Sequence, residues 1–411
     1  MNAKLLKRSV SELQRLTDKS APLILDVNSG NRLSLTAWFA RGRATVGNIN
    51  DVGTARAPAY SRAVVQVGQL KRAIDTLKGA TEFDLALDVA PVGSQNFWNV
   101  TLQGRDKHGG NVGSVTMGGD ISSPHDESMI RLFAEIVKGN EIYSWMDQTN
   151  LRESLASVVW SVSDDPFLEQ LMDVHYRKLA DGVVKLAATN RFTLATRKMC
   201  AGWNYAGWNL EQDQEGLIPG ALVKFFCRNS GNGDLGIYSD QSVAITRRFV
   251  NSDGITNGGQ FLGIKFNGWN VICQETEHQF PEYTPIIPRD VSIRMSILVN
   301  RREMLNALTY SSKNLTVELR FNDKSSIYLT IANKEGFKVE SMVGAEYMIR
   351  KLDADNRVKI NLDFLVNALK SVGDSEFITM KIVRNTHPVL IESDDCSHII
   401  MPIIMPVHFQ E

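Results

Sequence analysis

The segment GNGDLG at residues 231–236 has the GxGxxG spacing that lets backbone close on a pyrophosphate. That chemistry needs the glycines to follow a strand and to open a helix whose N-terminus meets the phosphate. Here a helical pattern, ALVKFFCRNS, comes first and a strand pattern, LGIYSDQ, follows, so the segment reads as a helix stop and loop. GGNVGSVTMGGD at 109–120 lacks the Lys-Ser/Thr ending of a phosphate loop and reads as a strand edge. Of the histidines (His108, His125, His175, His278, His387, His398 and His408), none lies four residues from another or near a cysteine at metal-ligand spacing. ETEHQ at 275–279 reads as a solvated strand end, and Asp164-Asp165 and Asp394-Asp395 as turn residues. Nothing assembles a nucleophile, a base and an orienting group, and there is no GxSxG. The residues argue against an enzyme, and no metal or cofactor is expected.

The chain has 411 residues, 43% hydrophobic and 22% charged. At roughly 150 residues per domain that is two or three domains. A formal net charge of −1 gives no global attraction to nucleic acid or membrane, so any basic surface is a local patch. No apolar run reaches the length of a membrane span, and MNAKLLKRSVSELQRL lacks the apolar stretch of a signal peptide. Cys200, Cys227, Cys273 and Cys396 are far apart and form no CxxC, which places the chain in a reducing cytoplasm with inert thiols.

Six short amphipathic helices punctuate the sequence. NAKLLKRSVSELQRLTD carries Leu6, Val10 and Leu13 at helical spacing. VGQLKRAIDTLKG carries Leu70, Ala73, Ile74 and Leu77 and stops at Gly79; DQTNLRESLASVVWSV carries Leu151, Leu155, Val158, Val159 and Val162. IPGALVKFFCRNSG has Pro219 near its start, NRREMLNALTYSS opens with Asn300 and Glu303 in a capping-box arrangement, and NLDFLVNALKSVG opens at Asn361 and closes at Gly373. Strand patterns lie between them. FLGIKFNGWNVICQ turns at Asn267-Gly268, LTVELRFNDKSSIYLTIAN at Asn322-Asp323, and EFITMKIVRNTHPVLIES around Asn385. Helix, strands, helix, strands recurs three times, which predicts an α+β chain of three similar domains at 1–130, 140–287 and 288–411. SSPHDESMIRLFAEIVKGNEIY, between the first two, begins like a linker.

The helices gather cations that the net charge conceals. Lys7, Arg8, Arg15, Lys71, Arg72, Arg152, Lys224, Arg228, Arg301, Arg302 and Lys370 lie on them, with fewer acids: Glu12, Asp75, Glu153, Glu303 and Asp363. Such helices read either as ordinary solvated faces or as a set facing phosphates.

The chain ends on a doubled phrase, HIIMPIIMPVHF at 398–409. An apolar tail is either a last strand docked in a sheet or a strand whose Met-Pro tip lines a binding pocket. Three stretches fall into one pattern. VVKLAATNRFTLAT (183–196) resembles the lvATDghRLA strand and turn of bacterial DNA polymerase III β subunits, the sliding clamps. FPEYTPIIP (280–288) resembles their FPDYrrviP, and HIIMPIIMP their closing yvIMPmr. The similarity covers about 145–290 and 355–406; in the first domain only SRAVVQVGQLKRAIDTLKGATEFDLALD is familiar. No single motif is decisive, but their order and spacing together are specific.

The resemblance implies three clamp domains, each with two helices backed by antiparallel sheets, and two chains joined head to tail into a ring. The helices would line the hole, the sheets the outer wall. The partners implied are double-stranded DNA held without sequence preference, a second copy of the chain, a replicative polymerase and a clamp loader. Neither cofactor nor catalytic site is implied. By position, Met172, Thr189, Arg191, Phe192 and Leu194 would form one wall of a peptide-binding pocket. Pro281, Pro285 and Ile286 would form another, and the tail supplies Met401 and Pro402, or Met405 and Pro406. The interval from VLIE favours the second copy in the pocket and the first in the strand; being four residues apart, both copies face the same way.

The departures lie in the polar rim. The family's Asp-Gly-His-Arg is Asn190, Arg191, Phe192 and Thr193, and the arginines after FPDY are Thr284 and Pro285. They point to a divergent clamp of the kind a phage encodes, with its own partner peptide. A protein-interaction scaffold that keeps the clamp fold without encircling DNA is the competing expectation.

Overall fold

The computed structural model describes residues 2–27, 33–39, 42–49, 53–56, 61–92, 95–121, 144–179, 183–200, 215–230, 242–250, 259–275, 278–309, 315–321, 325–333, 336–350 and 357–403. The GNGDLG segment, the linker-like segment, the Asn322-Asp323 turn, and Met405 with Pro406 lie outside these.

The first set of elements is α1 (Ala3–Leu16), β1 (Pro22–Val27), β2 (Leu33–Phe39), β3 (Gly42–Ile49), β4 (Gly53–Arg56), β5 (Ser61–Gln66), α2 (Val67–Thr76), β6 (Glu82–Val92), β7 (Gln95–Arg105) and β8 (Asn111–Ile121). The second is β9 (Ser144–Asp147), α3 (Gln148–Val159), β10 (Asp173–Lys178), β11 (Val183–Thr189), β12 (Thr193–Cys200), β13 (Glu215–Pro219), α4 (Gly220–Asn229), β14 (Ser242–Val250), β15 (Gly259–Phe266) and β16 (Trp269–Gln274). The third is β17 (Met295–Asn300), α5 (Arg301–Ala307), β18 (Thr316–Phe321), β19 (Ser326–Ala332), β20 (Lys338–Arg350), β21 (Arg357–Asn361), α6 (Leu362–Ser371), β22 (Phe377–Ile382), β23 (Val389–Glu392) and β24 (Cys396–Ile400). All six expected helices are present, and at least three strands follow each.

Local chemistry explains the helix ends. The Asn2 side chain accepts from the N–H groups of Lys4 and Leu5 at 2.9 and 3.2 Å, and Leu6, Val10 and Leu13 of α1 are buried. Asn361 caps α6 in the same way through Asp363 and Phe364, and Gly373 at φ 74° carries the chain out. Asn300 accepts from the Glu303 N–H at 3.1 Å at the start of α5. The Asn267-Gly268 turn has both residues at positive φ, 43° and 77°, the pairing that lets β15 and β16 close as a tight hairpin.

Among the described residues the strands form two 12-stranded sheets. In the first, β16 pairs antiparallel with β3, from Trp269↔Val46 to Cys273↔Gly42. In the second, β12 pairs antiparallel with β24, from Thr193↔Ile400 to Arg197↔Cys396. These pairings divide the middle set of elements between two compact units. The first unit holds Met1–Thr149, Gly202–Asn209 and Phe225–Thr276; the second holds Asn150–Ala201, Leu210–Lys224 and Glu277–Glu411. In the second, one buried cluster runs from Met295 and Ile297 through Leu319 and Leu365 to Ile391 and Ile400.

In the first unit a buried carboxylate fastens α1 to α4. Glu12 accepts from Arg228 Nε at 3.1 Å and from Asn229 Nδ2 at 3.2 Å, and Arg15 binds its other oxygen. Nearby, Trp269 is buried edge-to-face against Phe225, with ring centroids 4.8 Å apart. Both arginines keep substantial solvent, so the Glu12→Ala change is expected at the low end of the buried-pair range, about 2–3 kcal/mol of lost stability. A urea-unfolding midpoint measures it.

Candidate functional site

The turn between β11 and β12 is built on Asn190. Its Oδ1 accepts from the N–H groups of Phe192 and Thr193, at 3.0 and 2.8 Å, and from the Thr193 hydroxyl at 2.9 Å. Thr189 Oγ1 donates to the Thr193 carbonyl at 2.7 Å and accepts from the Arg191 N–H at 3.3 Å. Arg191 sits at φ 76°, a left-handed conformation that glycine adopts more readily. This network leaves the Phe192 ring 60% exposed, stacked near the Phe364 ring of α6 with centroids 6.5 Å apart.

Behind the turn lies an apolar floor. Leu194, Leu390 and Ile399 are buried together, and Tyr283 and Ile287 pack against them. Strand register assembles the floor, because Leu194 pairs with Ile399 and Leu390 pairs with Ile399 from the other side. Loop 280–287 is held by aromatic contacts. His175 of β10 stacks on Phe280 at 4.9 Å and meets Tyr283 edge-on at 6.4 Å. Burial lowers the His175 pKa despite Glu215 at 3.4 Å, and burial raises that of the Tyr283 phenol. Both groups are neutral at pH 7, so they serve as packing. Pro281, Pro285 and Ile286 of the same loop are exposed.

Strand β24 ends at Ile400, so the first copy of the doubled tail phrase supplies only its Ile-Ile to the sheet. Met401 donates its N–H to the Phe192 carbonyl at 2.8 Å and is 37% exposed, while Pro402 is buried. The first copy thus enters the strand with Ile399 and Ile400, as expected, and leaves it at Met401 and Pro402; the second copy, expected in the pocket, lies outside the described residues. Three residues, Ser393–Asp395, connect β23 to β24, and this short hairpin brings the first Met-Pro to the turn. Ile403 N–H then donates to the Lys359 carbonyl at 2.8 Å.

Leu194, Phe192 and Met401 of the expected set are thus joined by backbone pairing, with Thr189 shaping the turn. Met172 stands at the end of a short 3-10 turn, Glu169–Leu171, where its carbonyl accepts from the Gly220 N–H at 3.0 Å. Leu390, Ile399, Tyr283, Ile287 and Phe364 were not anticipated; strand alternation two residues before Met401 points to Ile399. The arrangement can dock apolar side chains.

His398, on the opposite face of β24 from Ile399, is fully buried beside Trp160. Ser371 Oγ donates to the Ala368 carbonyl and lies 2.9 Å from His398 Nε2, so the imidazole supplies that proton. Burial, with the nearby Arg197 charge, pushes the His398 pKa down from 6.5 to about 3. An unfolded chain takes up this proton at higher pH than the folded one does. The contribution is therefore complete above pH 6.5 and is lost as pH falls towards 3, at about 1.4 kcal/mol per pH unit. Denaturant titrations at pH 7 and pH 5 are expected to show a smaller pH dependence in His398→Leu than in the natural chain.

The cations on the helices divide into two groups. Arg15 and Arg228 bind Glu12, Lys71 binds Asp75 at 2.5 Å, Lys224 binds Asp164 at 3.1 Å, and Arg152 lies 3.9 Å from Glu153. Lys7 lies over the Phe83 ring, and Arg301 donates to the Leu369 carbonyl at 2.7 Å. The charged side chains of Arg8, Arg72, Arg302 and Lys370 have no intrachain ionic or hydrogen-bond partner among the described residues. Also among the described residues, no His, Cys, Asp or Glu cluster suits a metal ion, and no helix is long and apolar enough to cross a membrane.

No protein-family model matches the chain, and no curated protein matches it. Solved structures do. The DNA polymerase sliding clamp of Bacillus subtilis matches with a TM-score of 0.70 at 15% identity, over 99% of this chain and 98% of that one. The DNA polymerase III β subunit of Thermotoga maritima matches at 0.67 and 17%, over 99% of both chains. That of Pseudomonas aeruginosa matches at 0.68 and 15%, over 98% and 99%. The chain has the fold of the bacterial sliding clamps at very low sequence identity, as the resemblance in its motifs led us to expect.

Proposed function

We propose that this protein is a DNA sliding clamp, a processivity factor rather than an enzyme. Two copies close head to tail around duplex DNA, and the Leu194–Ile399 pocket tethers a replicative polymerase, a clamp loader and other partners by a short apolar peptide. Three repeats, at 1–130, 140–287 and 288–411, make up each copy.

One observation carries the reading. In each repeat, the third strand after the first helix is β3, β12 or β20, and the third strand after the second helix is β8, β16 or β24. β3 pairs with β16, and β12 pairs with β24. The remaining two are β20 and β8. Among the described residues, β20 pairs over Lys338–Gly344 with β19 alone, and β8 pairs over 111–119 with β7 alone. The stretch NVGSVTMGG in β8 has neither charge nor proline, the devices by which exposed edges are usually protected. Val115 and Met117 of β8 and Val339 and Ser341 of β20 are half-buried, whereas Leu194, Ile399 and Ile400 of the joined strands are buried. The repeat pattern pairs β20 of one copy with β8 of the next, and two such joints close two copies on themselves.

Arg8, Arg72 and Arg302 are the cations we assign to DNA phosphates, whereas Lys370 lines a separate cleft between α3 and α6. A few sequence-independent contacts suffice where the ring itself holds the duplex. The test is retention on DNA. With its loader, the protein is expected to stay on a nicked circle through a salt wash and to run off once the circle is cut. Equal loss from both forms would leave the scaffold reading.

A further inference from the structure

We infer that the second unit carries a binding site for a small oxyanion, of the phosphate class, in the cleft between α3 and α6. The cleft encloses about 510 Å³, within the range of small-molecule sites. Arg197 of β12 reaches into it. Arg197 is half-buried, its Nε is buried with no protein acceptor in reach, and its NH1 makes a weak hydrogen bond to Cys396 Sγ at 3.4 Å. A buried Nε donor left without an acceptor is unfavourable, and the rigid guanidinium fork fits an oxyanion. Lys370 lines the same cleft, also without a carboxylate partner among the described residues.

Charge is sorted by depth. Glu153, Asp374, Asp394 and Asp395 line the cleft, yet all four are exposed and none forms an ion pair with Arg197 or Lys370. They sit at the mouth, while Arg197 lies deeper beside Trp160 and the buried Cys396. Acids at the mouth repel every anion, but a strand carrying charge along its length across the mouth more than one compact ion that passes inside, so we assign the site to a free oxyanion rather than to DNA backbone. The adjoining His398 is held neutral by burial and offers no competing cation.

Calorimetric titration of the whole protein with inorganic phosphate, against chloride at matched ionic strength, tests this. One saturable site per chain is expected, weakened about tenfold or more in Arg197→Gln, as for the loss of a charge-assisted hydrogen bond. Lys370→Gln changes an exposed side chain that does not support the fold, and it is expected to weaken binding severalfold, so the result does not depend on how Arg197→Gln folds. A parallel titration with a short duplex separates the sources. An unchanged salt dependence of duplex binding in Arg197→Gln confirms a free ligand; a slope smaller by about one assigns Arg197 to a backbone phosphate and overturns the assignment to a free oxyanion. Absence of saturable phosphate binding in the natural protein, or equal binding in both variants, refutes the site.

Discussion

Of the two variants Val115→Pro and Thr116→Pro, one is expected to remain folded and become monomeric. Successive residues of an antiparallel strand aim their N–H groups alternately at the two sides. One of this adjacent pair therefore donates to β7, and the other faces the open edge of β8. Proline at the inward position removes a ladder bond and leaves its acceptor on β7 unpaired, a loss of about 1–3 kcal/mol that unfolding reports. Proline at the outward position breaks nothing within the chain, and it blocks β20 of the second copy. Each two-copy ring carries this joint twice, so one substitution strikes both. The expected pattern is one destabilised variant and one variant of nearly natural melting temperature that sediments as a single chain. Two folded variants that still associate would place the contact elsewhere.

Phe192→Ala is expected to weaken binding of a partner peptide by about 2 kcal/mol, roughly thirtyfold, while leaving folding stability within about 0.5 kcal/mol. The two effects separate because the ring is 60% exposed and the Asn190 network holds the turn without it. An aromatic edge beside an apolar floor is the arrangement in which a few side chains dominate affinity. The measurement is fluorescence anisotropy with a labelled short peptide bearing leucine and phenylalanine anchors, selected on the natural protein. Leu194→Ala is the contrasting variant. Its side chain is buried with Leu390 and Ile399, so it loses stability as well as affinity. Undiminished peptide binding in Phe192→Ala would move the pocket off this turn.

The sequence makes the helices legible because their periodicity and end residues agree. Asn2, Asn300 and Asn361 cap where the pattern starts, and Asn267-Gly268 turns where two strand runs meet. Strand neighbours are less legible, since alternation says which face a residue takes but not which strand lies beside it. Leu390 and Ile399 join Leu194 only through pairings that cross about half the chain. The doubled Met-Pro is ambiguous for a related reason: the three-residue connection at Ser393–Asp395 brings the first copy to the turn, while the second copy lies outside the described residues. The helix cations are the least legible. Arg228 looks like a DNA contact until Glu12, 216 positions away, is found holding it. The resemblance to sliding clamps supplied the long-range arrangement that local patterns lack.

The most direct test of the clamp reading is the mass of the natural protein by light scattering on a sizing column, followed across dilution. A persistent particle at twice the 45.8 kDa chain mass is the predicted result. A single chain at every concentration would contradict a self-closing two-copy ring.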